Sequence, residues 1–360
     1  MSEKHIPQLS KFLIGHHKQI NTFKLAFKNN KLHHSWMLTG DYGIGKATFA
    51  YSVAISLLNN NNLDIKLNNN QLESKDDYKT NQEIILHPDL KIINSISDDS
   101  LNNSNNIIPV SKVREIDEFY SKKSTFNTWR ISIIDSLDNL NVFGLNALLK
   151  ILEEPPQKSL ILLVSNKNSN VLSTLKSRCN ILKFYPLKQN ECKNILKYTF
   201  PDITEETMDK LLILSNGSPG KAVNIYNNEG LELYSYIIKL FLLLPNISFK
   251  SLGNIYERLS IRKNNDGLQN FKILLTIFIS RSIKFNLGGI SNFINEEESK
   301  AMKNCLENIN PPDLSEFWQI ACEIINEANI YNLDKKQVIL EIVNILKEHL
   351  NSDKESYTLN

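Results

Sequence analysis

The chain reads as an α/β protein in three parts: a parallel-sheet domain (residues 1–187), a helical lid (188–228) and a C-terminal all-α domain (229–360). Three observations predict this order. Short apolar runs alternate with helical spacings through the first half, the pattern of strands joined by crossover helices. The run SWMLTG, Ser35–Gly40, feeds directly into a glycine-containing turn and a helix. Beyond about Pro186 the strand pattern stops and helical periodicity takes over.

Each element follows from its residues. Ser35–Gly40 is a buried strand and Lys46–Leu58 the helix after it; Asn59–Gln82 is polar and Asn-rich, a surface insertion. DLKIIN (Asp89–Asn94) is a second strand, followed by a polar loop to about Asn106. Ser111 is expected to cap a helix with Val113, Ile116 and Tyr120 on one face. WRISIIDS (Trp129–Ser136) is a β-branched third strand ending in an aspartate. Leu145, Leu148, Leu149 and Leu152 then recur at helical spacing until Pro155-Pro156 stops the helix. SLILLVSN (Ser159–Asn166) is a fourth strand, continuously apolar and so buried on both faces, and NILKFYPL (Asn180–Leu187) is a fifth. A doubly wound parallel sheet binds ligands at the carboxyl ends of its strands, where Gly40, Asp135 and Ser165 all fall. Helices are expected near 231–244, 267–286, 314–328 and 334–349, the last capped by Asp334.

The bulk composition narrows the class. A length of 360 residues implies two or three domains, and 41% hydrophobic with 22% charged residues describes a globular chain. A net charge of +2 advertises no global field for nucleic acid. Cys179, Cys192, Cys305 and Cys322 are scattered without a CxxC pair, which argues against a disulfide framework or a zinc site and fits a reducing cytoplasm. The N-terminal stretch lacks the apolar core of a signal peptide, and the longest apolar run, near Leu240, is too short to span a bilayer.

The stretch TGDYGIGKATF, Thr39–Phe49, places Gly40, Gly43, Gly45 and Lys46 where a phosphate-binding loop needs them. Backbone N–H groups of such a turn cradle phosphate oxygens, and the lysine adds a point charge. The residue after the lysine ordinarily ligates magnesium through a hydroxyl, and here it is Ala47. Thr48 carries the nearest hydroxyl, but one more helical residue turns it about 100° away. Asp135 is the candidate carboxylate for a magnesium-bound water, and Ser136 follows it where a hydrolysing site needs a general base. The alternative is a strand-to-helix turn without ligand, with Asp135 capping the next turn. Two parts of a hydrolytic apparatus are missing, so any bound nucleotide is expected to be split poorly.

TLKSRCNIL, Thr174–Leu182, sets Ser177-Arg178-Cys179 just before the fifth strand. Arg178 is either a solvated surface arginine or a guanidinium presented to a neighbour's phosphate. Cys179 reads as a small packing residue. In GSPGKA, Gly217–Ala222, Lys221 opens a helix, where a cation is disfavoured unless an anion or solvent faces it. The adjacent pairs His16-His17 and His33-His34 read as solvated surface.

Taken in order, LHHSWMLTGDYGIGKATFAYSVA, HPDL, ISIIDSLDNLNVFGLNALLKILEEPP, LKSRC and SNGSPGKA resemble the clamp-loader branch of the AAA+ family. Within it the chain is most similar to the delta-prime subunits of bacterial DNA polymerase III. The resemblance is dense from about Leu32 to Leu187 and extends through the lid; the C-terminal region agrees only in class. It implies an AAA+ P-loop sheet domain, a lid and a helical collar that holds a ring together. The implied partners are gamma/tau-type ATPase subunits and a delta subunit, with the sliding clamp and primed DNA reached through the complex.

By position, the resemblance makes Arg178 a finger acting in a neighbouring ATPase site and Ser177 the residue shaping its turn. Ser165 or Asn166 falls at the sensor 1 region and Lys221 at sensor 2, where arginine is commoner. It further implies a vestigial nucleotide site that holds ATP or ADP without hydrolysis, if it holds either. Many relatives carry a zinc-binding cysteine cluster after the first helix; Asn59–Gln82 has no cysteine, so no zinc is expected. Two other readings stay open: an active gamma/tau-type ATPase, which lacks its ligands at Ala47 and Ser136, and a P-loop kinase or transferase, which leaves LKSRC and the helical tail unexplained.

Overall fold

The computed structural model describes residues 13–60, 63, 65, 86–94, 108–125, 129–166, 173–247, 253, 267–331 and 333–356. The expected surface insertion at Asn59–Gln82 and the polar loop to Asn106 lie largely outside these residues. The chain divides into two compact units, Met1–Ile203 with Asn216–Lys221, and Thr204–Ser215 with Ala222–Asn360. The stretch 188–228 is therefore shared between them.

In the first unit, α1 (His17–Lys28), β1 (Ser35–Gly40), α2 (Lys46–Asn60), β2 (Leu90–Ile93), α3 (Val110–Ser121) and β3 (Arg130–Asp135) follow in order. A 3-10 turn, Leu137–Asn139, leads to α4 (Val142–Glu153), β4 (Ser159–Asn166), α5 (Ser173–Ser177), β5 (Asn180–Lys183) and α6 (Gln189–Thr199). The five strands form one sheet in the order β2-β3-β4-β1-β5, and every pair is parallel. β1 thus lies inside the sheet, with Gly40 level with Asn166 of β4.

Period-two alternation gives the sheet two apolar faces. Trp36 and Leu38 of β1, with Ile131, Ile133, Leu160 and Leu162, pack against Phe23 of α1 and Phe49 of α2. Met37, Ile134, Ile161 and Leu163 face the other way, onto Val113 and Ile116 of α3 and Leu148 of α4. Helices cover both faces, and every residue of β4 but Asn166 at its end is buried. One cap differs from expectation. Pro109, with its extended backbone (φ −69°, ψ 150°), occupies the N-cap position of α3, and Ser111 lies inside the helix. The ring fixes φ and starts the helix two residues earlier than a serine cap would. Asn141 caps α4 by accepting a hydrogen bond from the Gly144 N–H at 2.9 Å.

The second unit is helical among the described residues: α7 (Glu205–Ser215), most of α8 (Pro219–Asn227), α9 (Gly230–Leu242), α10 (Gly267–Asn286), α11 (Glu296–Asn308), α12 (Pro311–Tyr331) and α13 (Lys335–Ser356). α9 packs on α10 and α11, α10 on α12, and α12 on α13. Phe241 and Phe278 stack at 4.4 Å between centroids. Asp334 caps α13 by accepting from the Lys336 N–H at 2.7 Å, as its sequence predicts. Glu298 is fully buried and satisfied: Tyr234 Oη (2.7 Å), Arg281 Nε (2.9 Å) and the Ile294 N–H (2.8 Å) all donate to it. No described helix is long and apolar enough to cross a membrane.

Candidate functional site

The glycine loop leaves the carboxyl end of β1 and turns into α2. Gly43 takes a left-handed backbone (φ 76°) that side-chain residues avoid. It also needs the space: a Cβ there would lie 2.7 Å from Ser218 Oγ and 2.9 Å from the Gly220 Cα. The turn Asn216–Lys221 is seated directly on the loop. Gly220 N–H donates to the Gly43 carbonyl (2.8 Å), and Ser218 Oγ donates to the Tyr42 carbonyl (2.7 Å). Gly40, Gly43 and Gly45 all have positive φ, backbone conformations that glycine adopts without strain.

Lys46 is only 4% exposed, and its Nζ turns back on the loop. It donates to the carbonyls of Gly40 (2.7 Å) and Asp41 (2.6 Å) and to Asn166 Oδ1 (3.3 Å). Burial lowers its pKa from 10.5 to about 8, opposed by the charges of Asp138, Asp41 and Asp135 and assisted by that of Lys221. The cation is present at neutral pH, but it is spent on the loop's own oxygens, and a phosphate must displace them.

The magnesium side is poorer. Ala47 is packed partly buried against the core around Phe49 and has no oxygen to offer. Asp135 ends β3, where burial raises its pKa against the pull of Lys46. Ser136 adopts a left-handed backbone (φ 74°), an uncommon choice for a non-glycine residue, and carries a hydroxyl rather than a carboxylate. The residues fit a phosphate group and do not fit the metal ligand and general base that hydrolysis needs. Asp138, in the 3-10 turn just past β3, is the residue that ties this end of β3 to the end of β4. It accepts from Ser165 Oγ (3.1 Å) and from the Asn166 N–H (2.7 Å). The structure therefore gathers Gly40, Gly43, Gly45, Lys46, Asp135, Asn166 and Lys221 around one loop and turns Ser165 towards Asp138. Thr48 stands one residue further along α2, partly buried.

Arg178 is elsewhere. Its carbonyl accepts a hydrogen bond from Ser35 Oγ at 2.7 Å, and Ser35 is the first residue of β1, whereas the loop leaves the last. Five residues of strand, about 16 Å, separate the two ends. The guanidinium pairs with Glu153 Oε1 through Nη2 (2.6 Å) and donates to the Thr174 carbonyl through Nη1 (3.0 Å). Ser177 Oγ donates to the same Thr174 carbonyl at 2.8 Å. Cys179 is partly buried against the α3–α4 side of the core, and burial pushes its thiol pKa up, in line with a packing role.

His17 is exposed, as expected, but His16, His33 and His34 correct the expectation of solvated surface. His16 is buried, its Nε2 lies 2.7 Å from the Ile44 carbonyl in the loop, and its ring meets Phe184 edge-on. Burial lowers its pKa. His34 Nε2 lies 3.0 Å from the Leu152 carbonyl at the end of α4, and His33 lies beside it with ring centroids 4.2 Å apart.

Residues 15–188, which carry the loop, Asp135 and the Arg178 turn, match the family described as DNA polymerase III, delta subunit. A DNA polymerase III subunit delta' from Buchnera aphidicola subsp. Baizongia pistaciae is 27% identical over 333 residues, 88% of this chain and 94% of the relative. Over residues 15–188 the chain resembles the DNA polymerase III clamp-loader family. A subunit gamma of the same family, from Buchnera aphidicola subsp. Schizaphis graminum, is 27% identical over 321 residues, 89% of this chain and 76% of the relative. Family members under both subunit names thus align with most of the chain. A gamma subunit-related protein of known structure from Thermotoga maritima aligns with 92% of this chain and 99% of its own, at 17% identity and a TM-score of 0.41.

Proposed function

We propose that this chain is a non-hydrolysing, delta-prime-type subunit of a DNA polymerase III clamp loader. It helps load a sliding clamp onto primed DNA during replication and supplies Arg178 as an arginine finger to a neighbouring ATPase subunit. One observation carries the reading: Arg178 is held at the start of β1, the strand whose far end carries the chain's own loop. An arginine whose backbone is held one strand length, about 16 Å, from the chain's own loop serves another subunit's phosphate if it serves any. Ala47 and Ser136 support the same reading, because neither supplies the oxygen that hydrolysis requires.

In this reading Gly40, Gly43, Gly45, Lys46, Thr48, Asp135, Ser165, Asn166 and Lys221 are a vestigial site that holds ATP or ADP without splitting it, or stays empty. No cofactor and no zinc are needed. The partners are gamma/tau-type ATPase subunits and a delta subunit in the cytoplasm, and the helical C-terminal unit acts as the collar. The test is Arg178→Ala in the reconstituted complex. Assembly is retained, while hydrolysis at the adjoining site falls by on the order of 10³-fold, as for other arginine fingers. A normal rate at that site sinks the assignment.

A second reading, an active gamma/tau-type ATPase, draws support from the gamma relative and from Lys46 and Asp135 standing at one sheet edge. ATP turnover by the isolated chain that disappears in Lys46→Ala would establish it.

A further inference from the structure

We infer that Glu153 is a positioning residue for Arg178, one part of a fixed platform that aims the guanidinium away from this chain. The inference rests on the reading just proposed. An arginine side chain has many rotamers, and a finger that wanders loses most encounters with a developing charge. Here three elements hold it. Ser35, fully buried at the start of β1, donates to the Arg178 carbonyl and fixes the backbone. The Thr174 carbonyl of α5 takes Nη1, and Glu153 at the end of α4 takes Nη2. Anchors on both terminal nitrogens set the plane of the guanidinium, not only its place.

The carboxylate is itself well placed to do this. α4 is capped at one end by Asn141 and stopped at the other by Pro155-Pro156. Its last turn is tied to the connector before β1, where His34 Nε2 meets the Leu152 carbonyl, one residue from Glu153. Neighbouring residues therefore hold the finger, through Ser35 at the start of β1, and the finger's partner, through His34 just before it. The side chains of Arg178 and Glu153 are 36% and 51% exposed. A pair this open is weak, too weak to keep the arginine from a triphosphate, but sufficient to bias its rotamer. The rest of the guanidinium fork remains for an incoming anion.

A positioning role and a restraining latch predict opposite signs. Positioning means that Glu153→Ala lowers kcat for ATP hydrolysis at the adjoining site by about two- to fivefold, with KM unchanged, because the finger acts in the transition state. Glu153→Gln, which keeps an acceptor at the same reach, recovers part of the loss. In the Arg178→Ala background, Glu153→Ala has no further effect, since the two residues act as one unit. These are measured in the reconstituted clamp-loader complex, with assembly checked by gel filtration. An unchanged or raised kcat in Glu153→Ala, or a loss that adds to that of Arg178→Ala, overturns the inference while leaving the finger intact. A normal rate in Arg178→Ala alone removes the finger itself, and the platform with it.

Discussion

Replacing Lys46 by methionine keeps the length of the side chain and removes its charge, so it isolates what burying that charge does. Burial lowers the Lys46 pKa from 10.5 to about 8. Between those values the unfolded chain holds a proton that the folded chain has released. Unfolding then takes up protons, and stability of the natural chain rises with pH across that window. At about 1.4 kcal/mol per pH unit, the rise amounts to about 3 kcal/mol. Lys46→Met has no proton to exchange. The stability difference between the two proteins must therefore move by about 3 kcal/mol in favour of the natural chain from pH 7 to pH 10.5, most of it between pH 8 and 10. Loss of the hydrogen bonds to Gly40, Asp41 and Asn166 shifts the whole curve without changing its slope. Urea unfolding followed through Trp36 and Trp129 at successive pH values reads the difference. A difference that stays flat across the range refutes the buried, desolvated lysine and the inward pose that goes with it. The same titration predicts that any nucleotide affinity of the loop weakens as pH rises through about 8, because the cation is lost there.

Gly43→Ala and Gly288→Ala form a matched pair, since both glycines have φ near +75° (76° and 71°) but only Gly43 has neighbours in the way. Each loses about 1–2 kcal/mol to the left-handed backbone, and Gly43→Ala loses more because Ser218 and Gly220 must move. Equal shifts in urea midpoints would mean that the turn Asn216–Lys221 does not bear on the loop. In the helical unit, Glu298→Ala leaves the Arg281 charge buried without its partner and costs about 3–5 kcal/mol. A loss under about 1 kcal/mol, in circular dichroism followed through urea unfolding, would show that the buried network is not what fixes α9, α10 and α11 together.

Much of the sheet unit was legible because its signals are local. Apolar alternation in SWMLTG and RISIID, the continuous run of β4, and the helical spacing from Leu145 to Leu152 each follow from backbone periodicity and sterics. The glycines of the loop were legible for the same reason, since a left-handed turn needs them wherever it occurs. The cap at Pro109 was misread because a serine two residues on has a good capping side chain, and proline's rigid φ competes with it locally. Asp138 was missed because its importance comes from strand β4, which lies 27 residues away in the chain and beside it in space.

The amino-acid sequence by itself determined the order of the elements, the absence of a hydroxyl at Ala47 and of a carboxylate at Ser136, and the presence of Arg178 before the fifth strand, since each is a matter of residue type at a local position. The tertiary structure alone decided where those residues stand relative to one another. Parallel pairing put Asn166 level with Gly40 and drew Lys46 onto the loop's own carbonyls, and it left Arg178 at the opposite end of β1, braced by Glu153 and Ser35. Such distances are set by strand register and crossover packing between segments more than a hundred residues apart, and no local pattern encodes them.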